Sequence, residues 1–390
     1  MLETIRAYAR ERSSELDEID TWVDRHIGWC HRHVADMTAV STGASEASAI
    51  DRIVAETDNL RAAISRLRRL GRSDEAADLV LGLEDLAYAA NPIAELIQPL
   101  VEDGTVEGHP ARRRLLGIEL IRRSTADGTE GRAELAEQLV AGLSPDDPGS
   151  LRIPVMLIAN ALRQPDDTTS LEELAVQAHA EPDPAERARL LVAALLGTFF
   201  ARDLPKPPEQ VNEAIAAAEA AQMTRLLIPI GAAACMGGLT SGDLDDVVAT
   251  VRPLLDHLVE LPTPSIMASG LVVTYTEAAV QAGAPAGDRV AAVRHLGPVL
   301  KGDFNRLGLA LARLVQQDGD HDVPVRAVGA CSRAGRSNFS SRQIDAILGA
   351  ARDAIGEARV DELLAEGATA ERSDLYRTMW EQLHPAFTDE

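Results

Sequence analysis

Apolar residues recur along this chain with the period of an α-helix almost from end to end, and that pattern constrains the fold more than any other feature. Strand-like alternation is scarce. Its best instance, SGLVVTY (Ser269–Tyr275), lies inside a longer helical pattern and reads as helix. Proline and glycine punctuate the pattern at intervals of about 12 to 20 residues, the length of one helix and its turn. Aromatics are only 3% of the chain, against 46% hydrophobic residues that are mostly Ala, Leu, Val and Ile. That balance favours closely packed helices over sheets. The expectation is an all-α fold of roughly 17 to 20 helices joined by short turns.

The elements read as follows. One helix begins at Asp20 or Thr21 and runs through DRHIGWCHRHVADM (Asp24–Met37). Trp22, Val23, His26, Ile27, Trp29, Cys30, His33, Val34 and Met37 fill one continuous arc of it. The next is expected over Ser45–Leu70, with Ile50, Ile53, Thr57, Leu60, Ile64 and Leu67 as its stripe and Gly71 as its stop. Ser73 then opens DEAADLVLGLEDLAYAA, which is expected to end at Asn91-Pro92. SPDDPGS (Ser144–Ser150), EPDPAER (Glu181–Arg187) and DLPKPPEQ (Asp203–Gln210) read as turns that place Pro or Asp at the head of a new helix. RLGRSDEAADL (Arg69–Leu79) reads like a tetratricopeptide turn, without a clean repeat of about 34 residues. Antiparallel hairpins stacked into a right-handed superhelix are therefore expected. The divisions are residues 1–20 as a linker helix, 21–143 as N-terminal hairpins and 144–390 as a longer helical-repeat array.

Charge narrows the function classes. The net charge is −23, and only Lys206 and Lys301 among the basic residues are lysine. Residues 1–72 hold eleven arginines against twelve acids, so nearly all of the excess lies beyond them. Such a surface repels nucleic acid and anionic membrane. The longest apolar run, Leu190–Ala201, is too short for a bilayer, which takes ~20 residues. Three cysteines, Cys30, Cys235 and Cys331, lie far apart without paired spacing, as expected of a reducing cytoplasm. Cys235 and Cys331 fall on Ala-rich helices and read as packing residues. The acid pairs Glu172-Glu173 and Asp245-Asp246 point about 100° apart and read as first-turn acids.

The sharpest chemical candidate is His26, Cys30 and His33, which lie within about 60° on one helix face. With a fourth ligand such as Asp36 or Met37 they would suit a metal. The same arc carries Trp22, Trp29 and Met37, and a packing face is the expected role. No catalytic residue, cofactor or metal ligand is assigned.

Four stretches carry a resemblance. MLETIRAYARER (Met1–Arg12) resembles the segment that closes the winged-helix part of actinobacterial AfsR/LuxR-type and cyclase-linked signal-transduction ATPase regulators, just before their helical C-terminal region; RHIGWCHRH (Arg25–His33) is similar to that family's Arg-His-x-x-Tyr helix, with Trp29 in the Tyr position, and ETDNLRAAI (Glu56–Ile64) to its Asp-Asn-Leu-Arg-Ala-Ala segment. AIGEARVDELLAEGATA (Ala354–Ala370) is similar to that family's last helical pair. The resemblance implies a tetratricopeptide-like regulatory region, cytoplasmic and non-enzymatic. Its implied partners are a signal-transduction ATPase or transcription regulator and a small-molecule inducer. No G-x-x-x-x-G-K-[ST] occurs, and the glycine-rich GAAACMGGLTSGD (Gly231–Asp243) has the wrong spacing and no lysine. It reads as a helix end followed by an N-cap. The ATPase and DNA-binding functions are thus expected to reside elsewhere, and the chain to be a separated C-terminal half of a longer regulator. Asp58 and Asn59 are expected to form a buried polar clamp between the first hairpins, or else a surface facing the ATPase. The alternatives to an interaction module are a stand-alone small-molecule sensor with a pocket between hairpins, and a metalloprotein built on His26, Cys30 and His33.

Overall fold

The computed structural model describes residues 19–41, 45–87, 91–125, 131–143, 155, 169–200, 208–257, 268–296, 304–331 and 338–388. Among the described residues every regular element is a helix. The stretches MLETIRAYARER and SPDDPGS, and the first part of DLPKPPEQ, lie outside them.

In the first part α1 spans Ile19–Thr38, α2 Glu46–Ala55, α3 Thr57–Arg69 and α4 Ser73–Leu81. The single helix expected over Ser45–Leu70 is broken at Glu56, and no proline or glycine does it. The Thr57 hydroxyl donates to the Val54 carbonyl at 2.9 Å, a bond that competes with the helical ladder. The apolar members of the predicted stripe survive the break, with Ile50, Ile53, Leu60, Ile64 and Leu67 fully buried, whereas Thr57 at the break is only half-buried. Gly71, at φ 71°, ends α3, and the Arg72 N–H reaches back to the Leu67 carbonyl at 2.9 Å.

The helix expected to run from Ser73 to Asn91 also differs. It stops at Leu81, where the Thr38 hydroxyl of α1 donates to the Gly82 carbonyl at 2.7 Å. Short helical pieces follow at Glu84–Ala87, Asn91–Ala94, Gln98–Glu102 and Thr105–Gly108. Asn91-Pro92 therefore starts an element instead of ending one. Proline is tolerated there because the first N–H groups of a helix have no helical partner.

Next come α5 (Arg112–Thr125), α6 (Arg132–Ala141), α7 (Thr169–Ala180), α8 (Pro184–Phe200) and α9 (Pro208–Ala220). Pro184 and Pro208 head their helices as the spacing predicts, and Asp183 accepts the Ala185 N–H at 3.0 Å. A 3₁₀ turn at Thr224–Leu226 leads into α10 (Leu227–Ser241), which Gly242 closes before α11 (Leu244–His257). The glycine-rich segment is thus a helix end.

The last elements are α12 (Ala268–Gln281), α13 (Ala286–Leu296), α14 (Phe304–Gln317), α15 (Asp322–Cys331), α16 (Asn338–Ile355), α17 (Glu357–Thr369) and α18 (Arg372–Thr388). SGLVVTY is helix, within α12. Every residue from Leu271 to Val280 is buried, because α10, α11, α13, α14 and α16 all pack on α12. A helix enclosed on all sides is apolar on all sides, which explains its strand-like composition.

Two large cores result. One gathers Ile27, Cys30, Val34 and Met37 of α1 with α2 to α6. The other runs from Ala178 to Leu383. They adjoin where α2 meets the turn before α10. There Asp51 pairs with Arg225 at 3.2 Å, and Ala47 packs on the second core. The closing helix α18 folds back on α13, α14 and α15, and Gln382 donates to Asp320 at 3.1 Å.

Candidate functional site

The arc that the sequence draws on α1 is split by the fold. Its inner edge, Ile27, Cys30, Val34 and Met37, is buried in the first core. Its outer edge is not, since Trp22 is 56% and Trp29 37% exposed. The expected packing face is therefore correct for one edge and is corrected for the other.

On the outer edge the rings form a ladder. His26 stacks on Trp29 with centroids 6.3 Å apart and planes at 17°. Trp29 stacks on His33 at 5.0 Å and 10°. The Arg25 guanidinium lies over the Trp22 ring at 5.0 Å, a cation–π geometry. The opposite edge of α1 is tied to α3 and α4. Asp24 pairs with Arg72 at 2.6 Å, and Asp20 with Arg66 at 3.7 Å.

Of the proposed metal ligands, Cys30 Sγ lies 3.8 Å from His26 Nε2 and 3.9 Å from the Asn59 carbonyl it donates to. His33 is held against Trp29. Met37 is in the core and Asp36 is exposed. Among the described residues no three His, Cys, Asp or Glu side chains are grouped to hold a metal ion. Burial, helped by the Glu56 carboxylate, pushes the Cys30 thiol up to about 11. Burial raises Cys235 as well, and Cys331 is also buried. All three are free thiols in packed surroundings, where the nucleophilic thiolate is disfavoured.

Asp58 and Asn59 are not a buried clamp. The Asp58 side chain is 97% exposed and pairs with Arg61 at 3.0 Å, one turn along its own helix. Asn59 donates to Glu56 at 2.6 Å. Both face solvent because the apolar stripe of α3 turns the other way. Asp245 and Asp246 are exposed first-turn acids of α11, as expected. Glu172 and Glu173 fall in α7, with side chains outside the described residues.

The fold also assembles polar groups that the sequence reading missed. Arg313 on α14 donates to Glu277 on α12 at 2.9 Å, and Gln316 donates to the Ile347 carbonyl of α16 at 2.8 Å. Among the described residues, the Tyr275 and Thr276 hydroxyls of α12 and both amide atoms of Gln343 on α16 are buried with no hydrogen-bond partner. Their signal in the sequence is a polar residue in a run otherwise apolar. On the surface, Ser65, Arg68, Arg69 and Asp103 line an open basin in which Arg68 is already paired with Asp103 at 2.5 Å.

No protein-family model, no curated protein and no solved structure matches the chain. No helix among the described residues is long and apolar enough to cross a membrane.

Proposed function

We propose that the chain is a non-enzymatic regulatory module of the cytoplasm. In this reading its hairpins stack as a tetratricopeptide-like, right-handed superhelix, and its work is to hold a protein partner. The observation that carries it is a ladder of packing between helices two apart. α8 packs on α10, α10 on α12 and α12 on α14, while α11 packs on α13 and α15 on α17. From α8 to α17 these contacts support hairpins that rest on one another, the repeat-on-repeat logic of a solenoid.

Small-angle scattering tests the architecture, because a globule of this length has a radius of gyration near ~21 Å. A value well above that is expected, and one at ~21 Å would sink the superhelix.

The partner class follows from the resemblance and from charge: a signal-transduction ATPase or transcription regulator, with an inducer able to shift its state, and no direct contact to nucleic acid. The functional test is capture from native cytosol with the tagged chain, followed by mass spectrometry and elemental analysis. Recovery of such a regulator is expected. Stoichiometric zinc with no protein partner would instead favour a metalloprotein at His26, Cys30 and His33.

A second reading, a stand-alone small-molecule sensor, has one observation in its favour. The unpartnered Tyr275, Thr276 and Gln343 groups lie inside the larger helical part, where a ligand between hairpins would find polar atoms to satisfy. A bound metabolite in the purified chain would select it.

A further inference from the structure

We propose that the outer face of α1 docks an acidic amphipathic helix of a partner protein, with apolar residues seated on Trp22 and Trp29 and carboxylates on Arg25 and Arg32. The inference rests on the regulatory reading above and names the surface and the chemistry of its partner.

The chain holds three tryptophans. Two of them stand exposed on one stripe of one helix. Tryptophan at a protein surface forfeits a large apolar area, and it is the residue most enriched at binding hot spots. Seven positions separate Trp22 from Trp29, so they sit about 10.5 Å apart along the axis, two helical turns. That spacing matches apolar anchors at i and i+7 on a second helix. Trp29 is braced on both sides by the His26 and His33 rings, which fixes its orientation before a partner arrives.

Charge chooses among the occupants. Acids outnumber bases 61 to 38 in the chain. Yet among the described residues no carboxylate pairs with either Arg25 or Arg32, whereas Asp20 and Asp24 on the far edge are engaged by Arg66 and Arg72. Among the described residues Asp36 is the one acid near the stripe. Two available guanidinium groups beside two tryptophans suit an acidic, apolar-anchored segment. A second copy would set the same two arginines against each other across a two-fold axis. Nucleic acid would meet a chain of net charge −23.

The test uses the full chain and two synthetic helix-forming peptides of about 20 residues, long enough to hold a helix. Both carry Leu at the i, i+3/i+4, i+7 spacing, one with Glu and the other with Lys elsewhere. Tryptophan emission and titration calorimetry are read. The acidic peptide is expected to shift emission to shorter wavelength and to bind at least tenfold tighter than the basic one. The exposed double variant W22A/W29A should lose the binding with its circular dichroism unchanged, and R25E/R32E should reverse the peptide preference.

Equal binding of the two peptides overturns the proposal. So does a W22A/W29A variant that turns a dimer into a monomer in sedimentation, or tighter binding of a single-stranded oligonucleotide than of the acidic peptide. If the partner captured from cytosol is retained equally by W22A/W29A, the α1 assignment falls while the regulatory reading stands. If the wild-type chain captures no regulator at all, the regulatory reading itself falls.

Discussion

Asp51 on α2 and Arg225 in the turn before α10 meet at 3.2 Å across 174 positions of sequence, with the guanidinium buried. The pair ties one hydrophobic core to the other beside the Ala47 contact. Asp51→Ala removes a charge-assisted bond from a buried group and is expected to cost about 1.5–3 kcal/mol. The joint it weakens is small, so the halves should also lose cooperativity. Urea unfolding followed by tryptophan emission reads both halves, since Trp22 and Trp29 lie in one and Trp380 in the other. A broader transition with an earlier first phase is expected. An unchanged single transition would refute the coupling.

Gly329 on α15 and Gly367 on α17 are a reciprocal contact. A Cβ on Gly329 would fall on the Leu364 carbonyl, and one on Gly367 on the Arg326 carbonyl. Backbone meets backbone here, so no side chain can rotate away. Gly367→Ala is expected to destabilise by about 2–4 kcal/mol despite alanine's better helix propensity. Gly349→Ala is the control, with nothing within 4 Å of the added methyl. It should stabilise by up to about 1 kcal/mol. Thermal melts of the two variants moving in the same direction would contradict this packing.

How much of this was legible depends on what periodicity encodes. It encodes the direction of an apolar stripe, so the buried edges of α1, α2 and α3 are readable from Ile27, Ile50 and Leu60 onward. It does not encode how much of a broad arc a neighbour covers, and Trp22 and Trp29 were therefore placed on a packing face. The break at Glu56 was hidden because a threonine hydroxyl causes it, and threonine is common inside helices. Asp58 and Asn59 looked misplaced in a helix and were assigned a buried role, whereas local bonds to Arg61 and Glu56 satisfy them. The Arg225–Asp51 tie and the Gly329–Gly367 contact depend on distant parts of the chain meeting. Neither residue type nor spacing announces that.

Alkaline pH should unfold the protein through its buried acids. Burial pushes Cys30 up to about 11, with Glu56 adding to it. Burial also raises Cys235 and the Tyr275 hydroxyl. Each group then keeps a proton in the folded state that the unfolded chain releases at the ordinary thiol or phenol value. The contribution of Cys30 is therefore whole below about pH 8.5 and is lost as pH climbs through about 11, and those of Cys235 and Tyr275 are lost at still higher pH. The chain has only two lysines, and the Tyr376 hydroxyl, also raised by burial, adds to the same loss. The melting temperature is expected to hold to about pH 8.5 and then fall, and Cys30→Ala should flatten part of the fall. At pH 8 the native thiols should resist iodoacetamide and react fully in urea. Rapid native labelling of Cys30 would show that its burial is misassigned.

Tyr275→Phe should do the opposite of an ordinary core substitution. The hydroxyl of Tyr275 is fully buried among α12's neighbours and has no hydrogen-bond partner among the described residues. An unsatisfied buried hydroxyl costs about 1–3 kcal/mol of lost hydration. Deleting the oxygen keeps the ring and its packing, so Tyr275→Phe is expected to stabilise by about 1 kcal/mol. Gln343→Leu, at nearly constant volume, should stabilise as well. Calorimetric melts decide it. If both variants instead lose stability by about 1 kcal/mol or more, these groups have partners in solution. Ordered water or a small polar ligand would then occupy the interior of the second core. A fall in melting temperature that appears only when the purified chain carries a metabolite would identify the ligand, and would move the functional reading from a partner-binding array to a sensor.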